Sequence, residues 1–494
     1  TRVDENGLVN YAEVLGGDIV NNGDFATDLS GWTITGTDAT HTVTWTETGA
    51  RYQSDTTSPV LGLAQVFFEV GKIYTVTCNI AYAVGSGALR CSIGGVNQSA
   101  FTEGFNTRTS VALSYTNLTF LRDATDVDVI ISNVIVKEVT RDNVPRIDYT
   151  GGGCPHILAE PQRTNLIPYS EDFSESAWTK TRCTIDSGGH TSPSGESNAF
   201  KMTATDDDAR LQDGSEAAGV VYTQSIYVKS ATGSDVSGQV DFTGTQIQTF
   251  TATSEWQRVD TTSDDTRAGV VRVRITNSGD ELYIWGAQLE QGSYPTSYIP
   301  TSGSTVTRNQ DIFTRDGIGS LIGQTEGTFF IELSKPVLEP DSYYLISLNN
   351  AASNSDDNSV TIGFDNGSDD FYIRLRANAS SPFTDNNRAS LANTFYKIAI
   401  AYKSGQSLIY IDGNSITPNS GNLSTAFTFS ATLDNLSFDY NGNNSLPFFG
   451  KVKQLQVYNT ALTDEQLLQL TGTSGTDFYE SYAEMASALT YTIQ

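Results

Sequence analysis

Residues 397–413 read KIAIAYKSGQSLIYIDG. Two short runs rich in β-branched and aromatic residues, Lys397–Tyr402 and Ser407–Ile411, flank Lys403-Ser404-Gly405-Gln406. The glycine supplies the backbone freedom that a tight connection needs, so the stretch predicts an antiparallel hairpin. The same short alternation recurs at Lys72–Cys78, Val127–Ile131 and Val271–Ile275. Gly, Ser, Thr, Asn and Asp fill the intervals, and apolar residues rarely fall at helical spacing, so the chain is expected to be all-β.

Two helices are expected, both near the C-terminus. Thr463-Asp464-Glu465-Gln466 has capping-box spacing ahead of Leu467, Leu468 and Leu470, with Gly472 placed to end the helix. Ser481-Tyr482-Ala483-Glu484 repeats the pattern ahead of Met485–Leu489.

With 494 residues, and roughly 100–200 per domain, about three domains are expected. The 57 acidic and 29 basic side chains leave a net charge of -28. So negative a surface repels phosphate backbones and anionic lipid heads, which argues against nucleic-acid or membrane-surface partners. No apolar run approaches the length that would cross a bilayer. Cys78, Cys91, Cys154 and Cys183 form no CxxC pair and are too sparse for a disulfide scaffold, so they are expected to be reduced and structural, although Cys78 and Cys91 could face each other across a hairpin.

An internal repeat organises the first 300 residues. Asn22-Gly23-Asp24-Phe25 followed by Gly31-Trp32-Thr33 parallels Ser170-Glu171-Asp172-Phe173 followed by Ala177-Trp178-Thr179. Each block closes on a long strand, Val129–Glu138 in the first and Leu282–Glu290 in the second. Residues 16–140 and 165–300 therefore predict two copies of one two-sheet sandwich.

These openings, with the closing strand ending in an acid, resemble the jelly-roll carbohydrate-binding modules attached to polysaccharide-degrading enzymes. The second block also resembles a module of bacteriophage tail-fibre and host-attachment proteins, through Glu160–Leu166, Tyr169–Phe173, Ile226–Lys229, Trp256–Val259, Trp285–Glu290 and Ser297–Thr301. In similar fibre proteins a segment like Thr1–Val9 runs almost directly into one like Val144–Gly152. The first sandwich thus looks inserted into a fibre segment. Residues 325–475 resemble the concanavalin-A-like or laminin-G-like fold, through Gly327–Leu333, Tyr410-Ile411-Asp412-Gly413, Phe449–Asn459 and Ala461–Gln466. The expected plan is a fibre segment at 1–15, a jelly roll at 16–140, a joint at 141–164 and a second jelly roll at 165–300. A linker at 301–324, a concanavalin-A-like sandwich at 325–475 and a helical tail at 476–494 follow. In the joint, Pro155, Pro161 and Pro168 are expected to deny regular ladder bonding, and Glu160 and Arg163 to lock the second sandwich to the fibre segment.

What the resemblance implies is a virion protein, extracellular, on a tail or head fibre. It would be a homotrimer, with other virion proteins and a host surface glycan as its partners. A spacer without ligand, and a secreted adhesin or the binding part of a polysaccharidase, are the alternatives. No enzyme is expected: His41, His156 and His190 stand at no metal-ligand spacing, and GxSxG, GxxxxGK[ST] and strand-borne GxGxxG are missing from the sequence.

Calcium is the cofactor to consider, because clustered hard oxygens in loops are what it requires. The candidate ligands are Asp356, Asp357, Asp365, Asp369 and Asp370; Asp206-Asp207-Asp208 is a further acidic run. Acidic turns facing water are the plain alternative. The resemblance adds a structural calcium between the acidic start (Asp24, Asp172) and an acidic pair on the last strand. Ser132-Asn133 and Trp285-Gly286 depart from that pair.

A pyranose presents an apolar C–H face that stacks on aromatic rings. Trp32, Trp178, Trp256 and Trp285 fall at framework positions of the repeat, so core packing is expected of them. Trp45, without a counterpart in the second copy, and nearby Tyr52 are the candidate glycan-binding residues.

Overall fold

The computed structural model describes residues 1–472 apart from 84–87, 124–125, 142–143, 152–153, 215–218, 243–244, 264–270, 338–342, 351–356, 366–368 and 441–445. The fold is all-β with, among the described residues, one short helix, Asp464–Thr471. It divides into two compact units, Tyr11–Val144 and Thr1–Asn10 with Pro145–Gln494. The second expected helix lies outside the described residues.

Tyr11–Val144 is a sandwich of a five- and a six-stranded sheet. The first runs Val96–Asn97, Leu89–Ile93, Asn117–Arg122, Gly62–Val66, Thr33–Thr35; the second runs Gly104–Val111, Ile73–Tyr82, Val127–Thr140, Gly49–Ser54, Thr42–Thr46, with Val14–Asp18 as a sixth strand pairing the end of Val127–Thr140. In the other unit, residues 165–300 repeat both five-strand orders, while the sixth strand differs, His190–Thr191 pairing with Ser197–Ala204. There the orders are Thr245–Ala252, Val236–Phe242, Val271–Ile275, Ala209–Asp213, Thr179–Thr181 and Gln257–Thr262, Tyr222–Ser230, Glu281–Gln291, Ser197–Ala204, Cys183–Ile185.

The irregularities coincide as well as the ladders. The last long strand of each copy bulges where a residue takes positive φ, Asn133 at 49° and Gly286 at 64°. Both residues suit that conformation, since Gly carries no Cβ and Asn tolerates the left-handed region. The next amide then reaches the repeat's opening turn: Val134 N donates to Gly23 O and Ala287 N to Ser170 O. Trp32 and Trp178 are buried and donate their indole N–H to Asn22 O (3.0 Å) and Tyr169 O (2.9 Å). Phe25 and Phe173 pack on those rings at 5.3 and 4.9 Å.

The cysteines are free thiols, as expected, and only the hairpin possibility for Cys78 and Cys91 fails. Cys78 and Cys91 sit on opposite sheets of the first sandwich, both buried in its core and both free thiols. Burial pushes the Cys78 thiol up to about 12, as befits a small apolar packing residue.

The concanavalin-A-like sandwich has two seven-stranded sheets. One runs Ile147–Asp148, His156–Ala159, Gly450–Tyr458, Glu326–Ser334, Tyr396–Lys403, Leu408–Ile411, Asn414–Ser415. The other runs Thr314–Arg315, Asn435–Ser437, Tyr343–Asn349, Ser359–Asp365, Asp370–Ala377, Ser380–Asp385, Ser420–Gly421. Alternate residues such as Phe329, Ile331, Ile362, Ile373 and Ile400 fill the space between them. The 397–413 hairpin lies within the first sheet, with Ile398 opposite Ile411 and Ile400 opposite Ile409. Thr463 caps the helix through the expected box with Gln466, and Leu467 and Leu470 bury against Phe330 and Tyr410.

The joint differs from expectation. Pro155 and Pro161 stand outside a strand rather than preventing one, so His156–Ala159 ladders between Ile147–Asp148 and Gly450–Val452. Proline is tolerated there because its missing N–H falls beyond the paired residues. Arg163–Asn165 pairs with Val306–Arg308, which gives the linker a strand of its own.

Candidate functional site

Two carboxylates and two guanidiniums meet where the joint passes the second sandwich. Arg146 Nη1 donates to Glu160 Oε2 (2.6 Å) and Ser297 Oγ (2.6 Å), and Nη2 pairs with Asp311. Glu160 also accepts from Ser297 N (2.8 Å) and pairs with Arg308 at 2.9 Å. Burial would raise the Glu160 carboxyl, but Arg308 and Arg146 hold it well below the usual carboxylate range. The charges balance, so the cluster acts as a strut; Arg163 stands outside it, pairing with buried Glu290 of the second sandwich at 3.9 Å and lying 5.7 Å over Tyr294.

The strut fixes what lies on the outer face of the second sandwich's six-stranded sheet. At the bulge, Arg258, Tyr227 and Trp285 stand opposite one another on three neighbouring strands. Val9 and Tyr298 cover them, forming a small apolar cluster with Trp285, whose ring lies 4.6 Å from Tyr298. Trp285 is therefore buried as expected, though under the chain's own segment rather than inside the sandwich. Trp256 is half-buried at the edge, donating to Thr191 O.

The equivalent row in the first sandwich is exposed. Phe105, Asn79 and Ser132 occupy the places of Arg258, Tyr227 and Trp285, and Phe105 leaves 71% of its surface uncovered. Thr107, Thr77 and Ile135 form the next row, then Thr109, Thr75 and Lys137. Farther across the sheet Arg51 grips Asp128 with two bonds of 2.9 and 2.7 Å, and Gln53 adds a third. Arg51 holds the Asp128 carboxyl below its ordinary range. An exposed ring beside hydroxyls and an amide offers a stacking surface with directional polar contacts, as sugar recognition requires.

The expected glycan residues fare differently. Tyr52 is corrected: it is fully buried, its hydroxyl donates to Leu61 O (2.6 Å), and burial pushes its phenol up to about 12. Its place on Gly49–Ser54 shares the core-facing phase of Ala50, which puts it inside. Trp45 leaves 40% of its surface exposed on an edge strand, but its indole N–H is committed to Phe25 O at 2.7 Å. Phe105 was missed although strand phase marks it, since Phe105 and Thr107 fall out of step with buried Asn106.

The acidic runs do not converge: among the described residues no three His, Cys, Asp or Glu side chains form a metal-binding group. Asp356 lies outside the described residues. Asp357 is half-buried, and its carbonyl accepts from Ala379 N. Asp369 pairs with buried Lys335 at 2.9 Å, while Asp365 and Asp370 face each other across a hairpin. Asp207 accepts from Ser278 N and Asp208 pairs with Arg274. Asp24 and Asn133 line one cavity of about 350 Å³ with Asp18, too few anionic oxygens for the calcium pattern. The three histidines stay apart, each on its own aspartate: His41 on Asp38 (2.7 Å), His156 on Asp148 (3.0 Å) and His190 on Asp186 (2.6 Å).

Residues 338–468 match the family model described as the concanavalin A-like lectin/glucanases superfamily. No curated protein matches the chain. Among solved structures, the CBM40 of Ruminococcus gnavus IT-sialidase bound to alpha2,3 sialyllactose is 18% identical, with a TM-score of 0.26 over 30% of this chain and 84% of that one. A SAP-like pentraxin from Limulus polyphemus is 14% identical, with a TM-score of 0.24 over 31% and 76%. The CBM22 tandem domain from Paenibacillus barcinonensis Xyn10C is 10% identical, with a TM-score of 0.22 over 57% and 99%.

Proposed function

We propose that the chain is a non-catalytic glycan-binding protein of a phage virion, attaching to host surface glycans through the exposed sheet of its inserted sandwich. The observation that carries the glycan reading is the contrast between the copies: one ladder row presents Phe105 to solvent, and the same row in the other copy lies under Val9 and Tyr298. The family match of residues 338–468 supports it. The fibre reading is supported by the two segments that resemble one continuous fibre stretch, since they meet: Val3 N donates to Asp148 Oδ1 (2.7 Å) and Tyr149 N to Val3 O (3.0 Å). In the second sandwich the cover over Trp285 withdraws that row from ligand contact. Weak sites on a homotrimeric fibre would gain strength by acting together.

On a glycan array the full chain is expected to bind at least one glycan, and Phe105→Ala to weaken that binding about tenfold, close to 1.4 kcal/mol. An exposed side chain contributes little to folding, so circular dichroism should not change. No bound glycan, or equal binding by Phe105→Ala, refutes the assignment of this face. Immunogold labelling of purified virions at a fibre tests the location, and labelling only of secreted protein would replace the virion with an adhesin.

A further inference from the structure

A cavity of about 430 Å³ separates the second sandwich from the concanavalin-A-like sandwich. That volume falls within the range of small-ligand sites, roughly 300–1,000 Å³. Asp260 and Thr262, on the edge strand of the second sandwich, form one wall, and Lys451 and Asn393 line the other side. Pro295 and Val337 supply apolar surface.

Two charged groups there are unused. The Asp260 carboxylate and the Lys451 ammonium have neither a hydrogen bond nor an ion pair among the described residues, whereas Glu160 and Lys335 on the same lining are matched by Arg146 and Asp369. Arg258, the cation that most influences Asp260, donates to Thr296 O and Ser225 Oγ. The Asp260 side chain is exposed, so its carboxylate meets solvent on the cavity side and is open to a hydrogen-bonding guest. Asp260 and Thr262 stand on the ladder rows next to Arg258, on the strand whose counterpart in the first copy carries Thr107 and Thr109. Where the joint closes off the bulge row, the adjoining rows thus open into the cavity.

We propose that this cavity is a second glycan site that takes a neutral saccharide of one or two rings, with Asp260 accepting from two neighbouring hydroxyls. Lys451 donates to a ring or hydroxyl oxygen, and Pro295 and Val337 meet the apolar face of the ring. One free carboxylate and one free ammonium leave the lining neutral, and the chain's charge of -28 disfavours uronic or sialic acids. This proposal rests on the glycan-binding reading but not on the exposed face.

Saturation-transfer NMR and calorimetry on the full chain would use methyl glycosides of glucose, galactose and N-acetylglucosamine, lactose, glucuronic acid and sialyllactose. A neutral sugar is expected to bind, with Asp260→Asn weakening it at least about tenfold, Lys451→Met weakening it less, and Phe105→Ala leaving it unchanged. Neutral-sugar binding that survives both Asp260→Asn and Lys451→Met but is lost in Phe105→Ala overturns the cavity site and leaves the exposed face standing. Preference for the acidic sugars overturns it too. Failure of every sugar to bind wild type overturns the cavity site, whereas the exposed face stands or falls with the glycan array.

Discussion

Replacing Glu160 with alanine is expected to destabilise the unit built from residues 1–10 and 145–494 by about 3–5 kcal/mol, the usual cost of removing one partner from a buried ion pair. Arg146 and Arg308 would keep Asp311 alone, and one buried positive charge would go unmatched. Ser297 loses two bonds in the same step. Urea unfolding followed by intrinsic fluorescence measures the change, because Trp285 packs on Tyr298, next to Ser297. A loss below about 1 kcal/mol, the range of exposed pairs, would mean that the strut is solvated in solution.

The same cluster sets a pH dependence. Glu160 has a carboxyl pKa lower in the folded chain than its unfolded value of about 4.3, so its contribution is full above that value. It is lost only as pH falls through the depressed folded value. Asp148 behaves likewise: burial would raise it, but His156 and the Val3 amide bring it to about 2. The unit is therefore expected to keep its midpoint denaturant concentration down to about pH 4.5 and to lose stability steadily from there toward pH 2. A midpoint that falls already between pH 7 and 5 would contradict this.

Sequence pattern carries far in this chain because strand period and burial are coupled. A half-buried strand must alternate, so the runs at 72–78, 127–131 and 397–402 announce themselves, and the repeated Asp-Phe and Trp pairs announce the duplicated sandwich. Phase within a strand is equally local, and closer attention to it separates Tyr52, in step with Ala50, from Phe105, out of step with Asn106. The joint is different in kind. His156–Ala159 finds its partner at Gly450–Val452, and Arg146 finds Asp311, through contacts between segments remote in sequence, which no local rule specifies. Nor could the cover over Trp285 be foreseen, since Val9 comes from the far side of the inserted sandwich.

Among the aromatics, Trp178→Ala should show the largest effect, a loss of about 3–5 kcal/mol for the second sandwich. The ring is buried against Phe173, and its N–H ties the first strand's approach to Tyr169 O, so truncation leaves both a cavity and an unmatched carbonyl. Trp45→Ala removes a ring that is two-fifths exposed and a bond to Phe25 O, and should cost about 1–2 kcal/mol. The comparison has a functional edge. Trp178 and Trp45 both spend their N–H groups on the protein, so loss of either should alter thermal unfolding before it alters sugar affinity measured on the folded variant. Phe105 has no such duty, and its loss should do the reverse. If Trp45→Ala instead abolished glycan binding while the unfolding midpoint held, the recognition surface would belong at the edge strand Thr42–Thr46, and the exposed Phe105 row would be only sheet surface.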